Sequence, residues 1–328
     1  MKNLLKKIYA LVILKRVMRT VLECCYNFMY DCASYMKHSA SVFQENDKIK
    51  LEGRICVLYH AIEKGMSLKK SQDGFGKEKV KKLIDLCNKY KELGGEEELL
   101  VTCRNVLRGY CAHQEQYLDS SFLEELKNSQ LYALESTILS DGGVEAFTPK
   151  EFDFVKYKNF VLARKSVRNF SQDDVAFEDL KDAIDVARYT PSVCNRQPWM
   201  SYIYTNESEI EQALSYQNGN RGFGQQVKGL ILVTGEKKKF WHAIERNEVY
   251  VDGGMFSMSI VYALHAKNLS SCCLNLNMTA RKEAELKKSL NIPTSEALIM
   301  MIAVGKAESN ANAAVSSRFS TEKFIGNL

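Results

Sequence analysis

Proline is absent from the first 148 residues of this 328-residue chain, and all four prolines follow: Pro149, Pro191, Pro198 and Pro293. Proline breaks helix interiors, so its absence leaves a long stretch free to be helical. That stretch contains helix-compatible runs at Lys77–Leu93 and Glu96–Gln116, separated by glycines. The segment from Asp141 to Pro149 has turn chemistry. These features predict an all-helical module over 1–148 and a second domain over 149–328, in keeping with a length near twice that of an ordinary domain.

Past Pro149 the pattern alternates. A helix is expected at Asp179–Arg188, strands at Ser201–Thr205 and Gly229–Gly235, and a long apolar helix at Val249–Asn268. A short strand at Ser271–Leu276, a charged helix at Thr279–Leu290 and a very hydrophobic strand at Ala297–Val304 complete an α+β domain with a mixed sheet flanked by helices.

The net charge of +5 is unevenly placed, since Lys2, Lys6, Lys7, Lys15, Arg16 and Arg19 crowd the first twenty residues and no acid accompanies them. The rest is near neutral, which argues against a nucleic-acid partner. The apolar run Ile8–Leu14 is far shorter than the ~20 residues a spanning helix needs. The basic N-terminus therefore predicts a helix packed on the protein or a partner, or one making peripheral membrane contact through residues 1–40. Ten cysteines without a Cys-x-x-Cys spacing predict reduced thiols in a cytoplasmic protein, mostly core residues, and no metal site.

Two short segments carry chemistry. Arg164-Lys-Ser-Val-Arg168 places two guanidinium groups and the Ser166 hydroxyl at alternate positions, which suits a phosphate. Thr190-Pro-Ser-Val-Cys-Asn-Arg-Gln-Pro-Trp199 sets Ser192, Asn195 and Gln197, which can read the polar edge of a heterocycle, between two prolines that restrain the backbone.

In this order the two segments resemble the nitroreductase family of flavoproteins. Asp252-Gly-Gly with the helix after it, Leu269-Ser-Ser-Cys272, Ala303-Val-Gly305 and Ser316-Ser-Arg318 extend the likeness over about residues 155–328. The resemblance implies FMN shared between the subunits of a homodimer. Arg164, Ser166 and Arg318 would take the phosphate, and Arg168 the pyrimidine edge. Pro191, Ser192 and Asn195 would reach the flavin from the other subunit, with Gln197 in the same motif. The strand at Leu274 and Asn275 would approach flavin N5, Asn275 being the candidate catalytic side chain.

The implied activity is FMN-dependent transfer of hydride from NAD(P)H to a small acceptor, with ping-pong kinetics. The same resemblance admits reductive dehalogenation or flavin fragmentation. A membrane-associated accessory protein with a vestigial flavin site, in a polysaccharide-synthesis setting, is a further alternative. Ser316 stands where the family often has lysine, and Leu274 where it often has tryptophan. No Gly-x-Gly-x-x-Gly occurs, so no separate dinucleotide fold is expected.

In the helical module, Tyr59-His-Ala-Ile-Glu-Lys-Gly65 is a dense polar cluster. Its alternatives are a lid, a substrate-facing surface or a support for the flavin, with His60 and Glu63 on one helix face, or simply a helix end capped by Gly65.

Overall fold

The computed structural model of the protein describes residues 2–40, 46–69 and 73–326, with the backbone alone for residues 2–8 and 10, so the Lys2, Lys6 and Lys7 side chains lie outside it. Helices α1 (Lys2–His38), α2 (Lys48–Ser67), α3 (Lys77–Glu92), α4 (Glu97–Gln114) and α5 (Ser120–Lys127) come first. Then follow α6 (Phe154–Ala163), α7 (Phe177–Ala187), β1 (Trp199–Tyr204), α8 (Glu207–Leu214) and β2 (Gly229–Glu236). The series closes with α9 (Glu248–Ala266), β3 (Ser270–Leu274), α10 (Ala280–Ser289) and β4 (Glu296–Gly305).

The four strands form one antiparallel sheet in the order β1-β2-β4-β3. Every residue of β2 is buried, and its alternate side chains serve opposite faces. Leu230 and Leu232 pack with Phe170, Leu214, Leu274 and Leu286 on one side. Ile231 and Val233 pack with Leu180, Phe256, Ile260 and Leu264 on the other. Helices cover both faces, which is why β2 reads as an unbroken apolar run rather than an alternating one.

Helices α2–α5 share a separate core built on Leu51, Ile55, Tyr59, Leu83, Tyr90, Leu107 and Tyr110. Asp47 caps α2, accepting from the Ile49 and Lys50 amides, and also pairs with Lys238 at 2.9 Å. Gly65 does not end this helix, which runs on to Ser67. A Cβ there would fall 2.1 Å from the Phe75 ring, so Gly65 is a packing glycine and its capping role is corrected. Gly53 does the same against main chain: a Cβ would lie 2.6 Å from the Lys239 carbonyl oxygen, and α2 rests directly on that segment.

Helix α1 belongs to neither core for most of its length. Only its C-terminal end is seated, where Tyr35 packs with Phe240, Val249 and Ala297 and donates to the His242 carbonyl at 2.8 Å. From Leu11 to Met29 its large apolar side chains are exposed. The cysteines also depart from a mostly buried set: five are buried, Cys24, Cys25 and Cys32 are exposed on α1, and so is Cys273.

Gly53→Ala should force α2 away from the Lys239 backbone and cost about 1–3 kcal/mol of stability, read from the urea midpoint. An unchanged midpoint would show that the approach is not tight.

Candidate functional site

The Arg164–Arg168 segment runs beside β3, with Ser166 bridging to Ser271 and the Val167 amide donating to the Ser271 carbonyl at 3.1 Å. Arg164 and Arg168 therefore lie along the sheet edge. Arg168 is close enough to Cys272 to oppose the rise that burial causes in that thiol, and Arg164 acts on Cys273 in the same sense. Among the described residues neither arginine has a carboxylate partner, so both positive charges are available to an anion.

Arg164 lines a cavity of about 220 Å³ with Ser270, Ser271, Glu308, Asn312 and Ala313. The chain after β4 thus crosses the sheet end at Arg164. Arg318 lies five residues further on, exposed, and its guanidinium closes on the Ser316 carbonyl. Leu274 is buried in the sheet, whereas Asn275, just past it, is exposed in a second cavity with Tyr216, Gln217 and Asn277. Gln217, unremarked in the sequence, is buried and donates to the Asn275 carbonyl at 2.9 Å, fixing the turn that follows β3.

The 190–197 loop occupies a third place. Pro191 is exposed at its start. Cys194, Asn195 and Gln197 adopt left-handed backbone at φ 51°, 52° and 47°. Non-glycine residues reach this region at a cost of ~1–2 kcal/mol each and need surrounding structure to hold them. The loop's polar side chains supply part of that hold. Ser192 Oγ accepts from the Gln197 amide at 3.0 Å, and Gln197 Nε2 donates to Asn195 at 3.3 Å.

The rest comes from outside. Asp252 accepts from the Val193 amide at 3.3 Å to both oxygens. Arg196 is buried between the Phe240 and Trp241 rings, 5.0 and 4.5 Å from their centroids, and pairs with Glu245. Asn195 Nδ2 donates to the Tyr59 hydroxyl at 2.9 Å, a contact from the helical module. The polar cluster on α2 is thereby divided. Tyr59 meets the loop, while Glu63 accepts from the Gly143 amide at 3.0 Å and His60 lies 3.8 Å from Glu63.

The expected site residues thus fall into three groups: Arg164, Ser166 and Arg168 at the β3 edge, Leu274 and Asn275 at its end, and Pro191 to Gln197 in the loop. Among the described residues no hydrogen bond within the chain joins the loop to either other group. Sequence reasoning missed Tyr59, Gln217 and the Arg196–Glu245 pair as holders of the site. The signal for Tyr59 lies in the polar cluster that includes it, Tyr59-His-Ala-Ile-Glu-Lys-Gly65.

Burial raises the Asp252 carboxyl to about 6, against the Val193 N–H bond that favours its charge. The folded protein then keeps a proton that the unfolded chain releases, so stability falls as pH rises from about 4 to about 6. Asp252→Asn should lose that decline, a difference of about 1–3 kcal/mol between the two profiles in denaturant midpoints taken across the window. Parallel profiles would refute the shift.

The family model described as the nitroreductase family matches residues 161–306. The chain is 35% identical over 70 residues to a chloronitrobenzene nitroreductase of Comamonas testosteroni, covering 21% of this chain and 31% of that protein. It is 40% identical over 50 residues to a nitrobenzene nitroreductase of Ectopseudomonas oleovorans, covering 15% and 22%. The matches span less than a third of these curated relatives. Similar solved structures include a nitroreductase-like protein from Streptococcus mutans, with 22% identity, a TM-score of 0.46 and coverage of 54% of this chain and 100% of that one. An FMN-dependent nitroreductase from Clostridium difficile gives 18%, 0.44, 52% and 98%.

Proposed function

From the match of the nitroreductase-family model to residues 161–306 we propose that the protein is an FMN-dependent oxidoreductase of that family. The observation that carries the reading is the pair of arginines without carboxylate partners at the β3 edge, one of them lining a cavity closed by the chain after β4. Arg164 suits a phosphate because its guanidinium can give two parallel charge-assisted bonds, with Ser166 adding a hydroxyl. Arg318, on the exposed segment after β4, would be the further cation for the phosphate. Arg168 would supply a cation for the pyrimidine edge, and the main chain at Leu274 and Asn275 would approach the reactive part of the ring. When bound, FMN would supply the redox chemistry, taking hydride from NAD(P)H and passing electrons to a small acceptor.

The proposal extends to a homodimer. The 190–197 loop makes no hydrogen bond to the β3 edge within one chain, so Pro191, Ser192, Asn195 and Gln197 would serve the flavin of the partner. Exposed apolar side chains support such an interface: Phe154, Val155, Tyr157 and Leu162 on α6, and Val251, Met255 and Met258 on α9. Residues 1–148 act as a helical module beside the FMN-binding domain at 149–328.

Titration of FMN-free protein with FMN should quench flavin fluorescence, and Arg164→Ala should weaken binding about tenfold or more, as loss of a charged hydrogen bond implies. Wild-type protein that stays colourless with FMN would overturn the reading. Anaerobic reduction by NADH and by NADPH then identifies the donor. Chloronitrobenzene and nitrobenzene, the compounds in the relatives' names, are the first acceptors to try.

A second reading concerns α1, whose apolar residues from Leu11 to Met29 are exposed beside Lys15, Arg16 and Arg19. No helix among the described residues is long and apolar enough to cross a membrane. We propose peripheral contact with an anionic bilayer through residues 1–40. Flotation with anionic liposomes should carry full-length protein upward and leave a variant lacking residues 1–40 in solution; equal behaviour would eliminate membrane contact.

A further inference from the structure

Asp252, Glu245, Lys239 and Ser259 hold the 190–197 loop from the sheet-bearing half of the chain, and one side-chain hydrogen bond crosses to it from the helical module. Tyr59 is 3% exposed, and its hydroxyl receives the Asn195 Nδ2–H at 2.9 Å from a residue 136 positions away. Asn195 also accepts from Gln197 Nε2 at 3.3 Å, at both its side-chain Oδ1 and its main-chain carbonyl oxygen. One amide thus links Tyr59 to two of the three left-handed residues.

We propose that Tyr59 is a positioning residue for the flavin-facing loop: by holding Asn195 it keeps residues 193–197 in the conformation that meets the cofactor. The inference rests on the FMN-binding reading for its functional consequence, while the hold on the loop stands independently of it.

Tyr59 can act this way because its own place is fixed. Gly53 lets α2 rest against the Lys239 main chain. The Lys239 ammonium lies 3.5 Å from Glu52 on α2 and donates to the Gln197 carbonyl at 3.2 Å. Glu52 in turn accepts from the Tyr90 hydroxyl at 2.8 Å. The loop is therefore gripped at both Asn195 and Gln197 by groups ordered through α2, and the phenol itself never has to touch the flavin. The hydroxyl provides direction, and the surrounding helices provide rigidity. A positioning group of this kind changes how often the loop is correctly shaped, so the apparent affinity follows the competent fraction.

The test uses full-length protein and three variants, Tyr59→Phe, Asn195→Ala and the double variant. Tyr59→Phe keeps the ring and removes only the hydroxyl. It should weaken FMN about three- to tenfold, the range of one net hydrogen bond. It should also speed amide hydrogen exchange at 193–197 in protein without FMN, while exchange in β2 stays as in wild type. Asn195→Ala should speed the same exchange and weaken FMN at least as much, since it also removes a flavin-facing amide, and the double variant should be no weaker than Asn195→Ala, because the Tyr59 hydroxyl acts through Asn195. Additive losses, or exchange and affinity equal to wild type in Tyr59→Phe, would overturn the proposal. A lowered Tm with unchanged FMN affinity and unchanged exchange at 193–197 would assign Tyr59 to packing alone. If wild type takes no FMN, the cofactor reading fails, and exchange at 193–197 still decides whether Tyr59 holds the loop. If Tyr59→Phe does not fold, exchange at 193–197 in Asn195→Ala without FMN, altered at a partly exposed site, decides whether this bond holds the loop.

Discussion

Helix α2 can lie against the main chain at Lys239 because Gly53 places no side chain there. Much else follows from this contact. It brings Asp47 to Lys238 and Glu52 to the adjacent Lys239. It also sets Tyr59 over a loop whose backbone could not sustain three left-handed residues unaided. The core among α2–α5 and the two on either side of the sheet are separate, and α2 meets the sheet-bearing half through polar contacts and close main-chain packing.

The sheet gives the other half of the frame. With β2 buried on both faces, β3 is left near an edge, and the Arg164–Arg168 segment can run alongside it. Guanidinium groups there remain partly open to solvent while their backbone is anchored. Buried arginine is treated differently: Arg196 has Glu245, two aromatic faces and the Lys239 carbonyl around it. Arg196 is thus paired within the fold, whereas Arg164 and Arg168 have no carboxylate partner among the described residues.

Much of this was legible from residue patterns. The run from Leu230 to Val233 announced a buried strand, and the apolar stretch beginning at Val249 announced α9, because periodicity and length report burial directly. Gly65 was misread because a glycine near a helix end and a glycine under an aromatic ring look alike until Phe75 is placed. Half of the cysteines proved not to be buried, since a small residue on a projecting helix such as α1 carries no mark of exposure. In the site, the residue types from Pro191 to Trp199 revealed polar capacity but not the left-handed backbone, which arises from contacts with Asp252, Glu245 and Tyr59. Those partners lie far along the chain, and no local spacing encodes them. The separation of the loop from the β3 edge agrees with the family resemblance, which assigned the loop to the other subunit, although no local spacing encodes it.

The chain has only two tryptophans, and both border the same loop. Trp199 closes it and stacks on Phe256 at 4.6 Å with the rings nearly parallel, while Trp241 covers Arg196. Indole emission from this protein therefore originates almost wholly beside residues 190–199, with nothing elsewhere to dilute it. The native molecule carries its own optical reporter of that segment, and a change in its spectrum can be assigned to a place without introducing a label.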